Sequence, residues 1–190
     1  MATIITHAVA GAAFGQFAPE GVSRLRIYLC LALAAVLPDA DVLGFAFGIP
    51  YGHPLGHRGI THAIVFAVLA APVVAAFALG GKAFRPGRFA GMTLIAFSAV
   101  MSHGILDAQT DAGLGVGFLI PFTEERYFFP WRPVMTAGLN PSTFFSDRTM
   151  TVLENEVRGV WLVIGVVSAL HLSLRRLAAA ANPKKIYRGP

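Results

Sequence analysis

Residues 60–79 read ITHAIVFAVLAAPVVAAFAL, an apolar run opened by a threonine and a histidine and closed by Gly80, Gly81 and Lys82. At about 1.5 Å per residue a helix of this length reaches across the hydrocarbon core of a bilayer. It is the longest of several such runs. Thr3 to Phe17 is apolar and rich in small residues, interrupted by Thr6 and His7, and ends at Pro19 and Gly21, which suits a short or re-entrant helix. Val22 to Pro38 opens with Arg24 and Arg26 and is expected to stop at Pro38, because proline removes a backbone donor and clashes with the preceding turn. Phe89 to Leu106 and Val157 to Leu174 complete the set.

Composition agrees with a membrane chain. Over 190 residues, 55% are hydrophobic and 13% charged, and mean hydropathy is +0.64, too apolar for a water-soluble domain of this size. The fold class expected is all-α: an integral membrane helical bundle of about four to five apolar helices, one domain over residues 1–190. It carries a polar, partly irregular outer segment at 107–158 and a basic tail at 175–190. The glycine- and proline-rich stretch from Val42 to Gly59 is expected to be loop. The aromatic and charged PFTEERYFFPWRP, residues 121–133, is expected to lie at the membrane surface. The first residues lack a basic region and hold His7 where a signal peptide would be purely apolar, so they read as mature protein.

The charges sort by side. If consecutive apolar runs are antiparallel, residues 18–26, 80–88 and 175 onward share one side. They carry ten basic residues (Arg24, Arg26, Lys82, Arg85, Arg88, Arg175, Arg176, Lys184, Lys185 and Arg188) against one acid, Glu20. The other side carries five basic residues and nine acids. The positive-inside rule makes the first side cytoplasmic in a multi-pass protein of a bacterial inner membrane. The basic residues flank apolar runs instead of lining one polar face, so no nucleic-acid partner is expected. The surrounding lipid is the partner the composition implies.

The same alternation carries His7, Asp39, Asp41, His57, His62, His103 and Asp107 to the outer end. His103 and Asp107 stand four apart, which puts an imidazole and a carboxylate on one helix face within reach of one cation; a structural hydrogen bond between them is the plainer reading. Ionisable side chains in an apolar run are costly, and they mark functional sites more often than not. Asp39 and Asp41 offer one carboxylate for a metal and one to orient a ligand histidine or water, or else form a solvated turn. In His57-Arg58-Gly59-Ile60-Thr61-His62 the better ligand is His62, with His57 a ligand or proton shuttle and Thr61 a candidate N-cap. Arg58 is placed to meet an anionic substrate or to pair with Asp39 or Asp41. His7 is a hydrogen-bonded helix histidine or a ligand. His53 reads as solvated and His171 as interfacial. One cysteine, Cys30, excludes a multi-cysteine site, so nitrogen and oxygen ligands are expected, with zinc first and manganese or iron as alternatives, as one ion or two.

Thr6-His7, Leu37-Pro38-Asp39-Ala40-Asp41, the HRGITH string at 57–62 and Ser102-His103-Gly104-Ile105-Leu106-Asp107, followed by an aromatic Pro121-Phe122 segment, together resemble the bacterial inner-membrane metal-dependent hydrolases of the YdjM-like family. The pattern covers the chain to about Pro133. That family is similar in turn to the helical zinc-dependent phospholipase C and nuclease superfamily. The resemblance implies His7, Asp39, His62, His103 and Asp107 as metal ligands and hydrolysis of a phosphoester, small or lipid, by a metal-activated water. Asp41 or His57 would then handle the proton, and Arg58, Arg126 or Arg132 would hold the phosphate. A metal carrier or sensor without turnover, or a membrane protein stapled by its metal, stands as the alternative.

Overall fold

The computed structural model describes residues 1–81, 85–138 and 147–181. Helix α1, Ile4–Ala13, starts at Thr3, whose hydroxyl accepts from the Thr6 N–H, and ends in a 3₁₀ turn at Phe14–Phe17. Helix α2, Arg24–Val36, starts at Ser23 and does not stop at Pro38. It passes directly into a 3₁₀ segment, Leu37–Phe47, with Pro38 in the opening turn, and the Ala35 carbonyl three residues earlier accepts from a side chain, His103 Nδ1. The chain turns only at Gly48, in the left-handed region at φ 75°. Residues 42–47, expected to be loop, therefore extend α2 into a run of 24 residues, Arg24–Phe47.

Helix α3, Ile64–Leu79, is 16 residues, about 24 Å long. It is shorter than the run that encodes it, because Ile60–His62 forms a separate 3₁₀ turn. Thr61 lies inside that turn and does not cap α3, whose N-cap position is Ala63. Helix α4 is Pro86–Ala108. Helix α5, Asp147–Glu156, a π turn at Val157–Trp161 and helix α6, Leu162–Ala181, follow one another, so the last apolar helix begins about ten residues earlier than the sequence pattern suggests. Among the described residues three runs are long and apolar enough to cross a membrane: Arg24–Phe47, Pro86–Ala108 and Arg148–Ala181. Ile4–Phe17 and Ile64–Leu79 are shorter apolar helices. The described residues contain no strand, only two isolated bridges, Thr110 to Val134 and Val116 to Tyr127.

Packing is the inverse of a soluble core. Ala71, Ala75 and Ala78 of α3 meet Ala96 and Ala99 of α4 with Met92, Ile27 and Leu31, while Leu25, Leu33, Leu69, Phe77 and Leu94 point outward and are more than half exposed. Small residues inside let helix backbones approach, and large aliphatic ones outside suit lipid. Gly11 is the tightest point of the α1–α2 crossing, since a Cβ there would collide with the Ala35 methyl and the Leu31 carbonyl. Arg24, Arg26 and the Arg175–Glu20 pair (2.8 Å) gather at the end away from the histidines. Lys82, Lys184, Lys185 and Arg188 lie outside the described residues.

Gly11→Leu is expected to cost at least about 1–3 kcal/mol by overpacking, read as a lower melting temperature in detergent. Gly165→Leu, at a position open on every side, should leave it unchanged. Equal melting of the two variants would refute this crossing.

Candidate metal centre

Four elements bring the polar side chains together. His7 sits on α1, Asp39 and Asp41 on the 3₁₀ continuation of α2, His57, Arg58 and His62 on the connection into α3, and His103 and Asp107 on α4. The 50–59 connection is folded back so tightly that a Cβ at Gly56 or Gly59 would strike the carbonyls of Pro50 and Pro54. Within it Arg58 adopts φ 62°, a left-handed conformation that costs a side-chain-bearing residue on the order of a kcal/mol and has to be held by its surroundings. All eight of these polar residues are less than a tenth exposed.

One donor atom each from Asp39, His62, His103 and Asp107 lies within 4.8 Å of the other three. Asp39 Oδ1 is 3.3 Å from His103 Nε2 and 3.9 Å from His62 Nε2. Asp107 Oδ2 is 3.7 Å from His62 Nε2 and 3.9 Å from His103 Nε2. Ligand atoms around a tetrahedral ion with bonds of about 2.0–2.1 Å stand roughly 3.3 Å apart, so the four need only a slight contraction. Asp39 Oδ1 and Oδ2, His62 Nε2, His103 Nε2 and Asp107 Oδ2 are all buried without a hydrogen-bond partner. Buried polar atoms left unmatched cost kcal/mol each, and a cation at their common point would satisfy them together.

The remaining atoms of these residues are held. His103 Nδ1 donates to the Ala35 carbonyl at 2.7 Å, which leaves the Nε2 lone pair facing the cluster. His62 Nδ1 stands 3.2 Å from Asp41 Oδ2. Asp107 Oδ1 accepts from the Ala2 N–H at 3.0 Å. Asp41 accepts from His57 Nδ1 at 2.8 Å, the Thr61 hydroxyl at 2.7 Å and the Arg58 N–H at 3.2 Å. Asp41, His57 and His62 also form a group of close donor atoms, but these contacts are already hydrogen bonds, so the trio supports the first cluster. His57 Nε2 stays buried and unpartnered.

His7 stands behind the four. Its ring stacks on His103 at 3.6 Å between centroids, and its Nε2 is 3.4 Å from Asp107 Oδ1, the oxygen turned away from the cluster. Arg58 faces neither solvent nor Asp39 and Asp41 with its guanidinium. Nε approaches Asp107 Oδ2 to 2.9 Å, without hydrogen-bond alignment, and the terminal nitrogens donate to the Ala112 carbonyl and the Thr110 hydroxyl. Arg126 donates to the carbonyls of His57, Tyr51 and His53, and Arg132 lies over the Phe128 ring, so both stitch the outer segment. His53 is exposed, with Nδ1 accepting from the Leu55 N–H, and His171 packs against Phe17 at the far end. Asp111, just past α4, accepts from the hydroxyl and N–H of Thr136, which hold its carboxyl below the usual range and tie the outer segment to α4. Sequence reasoning missed the Ala35 carbonyl, Thr110 and Thr136, none of which carries a local signal. It also missed Glu156, a second buried carboxylate against α1.

Formal side-chain charge makes the same demand. Around the four donor atoms the carboxylates of Asp39, Asp41 and Asp107 face one guanidinium, that of Arg58, and a divalent cation would offset the negative charge that remains.

A family model described as YdjM inner membrane protein matches residues 1–181. The inner membrane protein YbcI of Escherichia coli (strain K12) is 38% identical over 162 residues, 85% of this chain and 92% of that protein. No solved structure matches.

If a cation belongs here, stripping the purified protein with a chelator and restoring a divalent ion to about 100 times its Kd should recover roughly 2.7 kcal/mol of stability, seen as a rise of several degrees in melting temperature. Asp39→Asn should abolish the response. A melting curve indifferent to chelator and metal would sink the site.

Proposed function

We infer that this chain, which belongs to the YdjM inner membrane protein family, is a membrane-embedded hydrolase that depends on a divalent metal, zinc first, and acts on a phosphoester of small-molecule or lipid type. The observation behind this reading is the convergence of four unpartnered donor atoms, from Asp39, His62, His103 and Asp107, with the second polar atom of His62, His103 and Asp107 already placed against Asp41, Ala35 and Ala2. A bound divalent ion supplies Lewis acidity towards a phosphoryl oxygen and lowers the pKa of water to the neutral range.

The protein's own groups would do the rest. Two imidazoles and two carboxylates hold the ion, with His103 aimed by Ala35 and His62 by Asp41. Next to them His57 repeats the arrangement of a general base: Nδ1 donates to Asp41, which fixes the tautomer and leaves Nε2 as the proton acceptor. Tyr51 packs edge-on against the His57 ring, at 5.0 Å between centroids, and shields it from solvent. Arg58 acts one step back. It steadies Asp107 and offsets part of its charge, and anion binding by Arg58 would require it to leave Thr110 and Ala112.

The near-complete burial of the ligands favours a second reading, a metal staple without turnover. Metal content and hydrolysis of bis-p-nitrophenyl phosphate, measured on wild type and His103→Ala, separate the two. A hydrolase binds metal and turns over, and the variant loses both, with the rate falling by about a hundredfold or more. Metal without turnover supports the staple, and equal metal content in the variant removes His103 from the site.

The side of the membrane follows from charge. With the Arg24, Arg26 and Arg175 end in the cytoplasm, the centre lies towards the outer face. A fluorescent reporter fused to the C-terminus should light up in the cytoplasm and an alkaline phosphatase fusion there should stay inactive. The opposite pair of results would invert the topology.

A further inference from the structure

Glu156, the last residue of α5, is fully buried, whereas Glu154 two residues earlier is 69% exposed beside Arg158. Its carboxylate accepts three hydrogen bonds, all from the start of α1: the Thr3 N–H at 2.5 Å, the Thr3 hydroxyl at 2.5 Å and the Thr6 hydroxyl at 2.7 Å. Across the π turn, Trp161 Nε1 donates to the same Thr6 oxygen at 2.8 Å. Residues five apart on a regular α-helix diverge by about 140°. The wider π turn brings Glu156 and Trp161 to one face, so both grip α1. A carboxylate is well placed against the unpaired N–H groups at a helix start.

The segment held in this way also serves the metal centre. Ala2 and Thr3 are neighbours, and their N–H groups go to two different buried carboxylates, Asp107 Oδ1 and Glu156 respectively. One turn on, the His7 N–H closes on the Thr3 carbonyl at 3.1 Å, and the His7 ring lies flat on His103. We propose that Glu156 is a positioning residue for the metal centre: by fixing Thr3 and Thr6 it sets the Ala2 N–H that orients Asp107 and the imidazole that backs His103. The proposal rests on the reading of Asp39, His62, His103 and Asp107 as cation ligands.

Glu156→Gln keeps the side-chain shape but removes the charge and turns one acceptor into a donor, so the Thr3 and Thr6 hydroxyls that now donate to it must rotate to accept. The test is a cobalt titration of the full chain in detergent, followed through the visible absorption of the bound ion, which reports ligand geometry. Glu156→Gln is expected to bind cobalt at least about tenfold more weakly, as changes in groups supporting a ligand do, with displaced bands. Thr3→Ser, which keeps every donor, should match wild type, and Thr3→Val should fall between them. Wild-type affinity and bands in Glu156→Gln would reduce Glu156 to a helix cap and overturn the proposal. Should that variant not remain monodisperse, Thr6→Val, which removes only the shared hydroxyl, carries the comparison: displaced bands support positioning and unchanged bands overturn it. A wild type that takes up no cobalt overturns the cation reading itself, an outcome visible before any variant is made.

Discussion

Everything in this fold answers to the burial of charge. Among the described residues four carboxylates, four imidazoles and a guanidinium lie inside a bundle whose solvent is hydrocarbon, where an unmatched charge is far more costly than in water. The structure meets that demand in layers. Asp41 is saturated by His57, Thr61 and the Arg58 N–H, and Asp107 is half matched by the Ala2 N–H and flanked by Arg58. Asp39 has no hydrogen-bonding partner on either oxygen. Around the centre one carboxylate is satisfied fully, a second in part and a third not at all, and the unmatched atoms lie within reach of one cation.

Packing and chemistry are linked through the small residues. Donor atoms from the continuation of α2, the turn before α3 and the end of α4 come within 4.8 Å of one another only if the helix axes are close, and alanine and glycine at the crossings permit that approach. The same choice pushes leucine, valine and phenylalanine to the outside, so the lipid-facing surface and the close-packed interior come from one distribution of residue sizes. Breaking α2 at Pro38 would have moved Asp39 and Asp41 into a flexible turn. The 3₁₀ continuation instead keeps both on a rigid element, one aimed at the cluster and one at the histidines behind it.

Membership of the bundle was legible because apolar runs and terminal charges report directly on a bilayer. The convergence of His62, His103 and Asp107 was legible for a related reason: alternating spans fix which end of each helix meets which. The fate of Arg58 was not. Its contact with Asp107 depends on a left-handed φ in a turn folded by Gly56 and Gly59, and no local pattern encodes a side-chain direction set in that way. Pro38 was misread as a stop because the rule that excludes proline from helix interiors does not apply at the start of a 3₁₀ segment. The length of α3 was overread because a helical hydrophobicity pattern does not distinguish a leading 3₁₀ turn from the helix after it. Glu156 was invisible for a different reason: it lies among exposed charges, and only its contact with a residue 153 positions away distinguishes it from Glu154.

That contact changes how the two ends of the chain relate. The first turn of α1 is gripped from one side by Asp107 and from the other by the continuous α5–α6 helix, while α6 itself buries little surface against the bundle. A lightly packed helix that holds the start of α1 through a few hydrogen bonds undocks locally at less cost than a fully packed one. Coupling between such an element and a bound ion is reciprocal. An ion that favours the ordered α1 would favour the docked α5–α6 helix by the same factor, and release of that helix would loosen the grip on the ion. The centre's affinity would then be set at its periphery, by Thr3, Thr6 and Trp161, as much as by the four residues that face the cation.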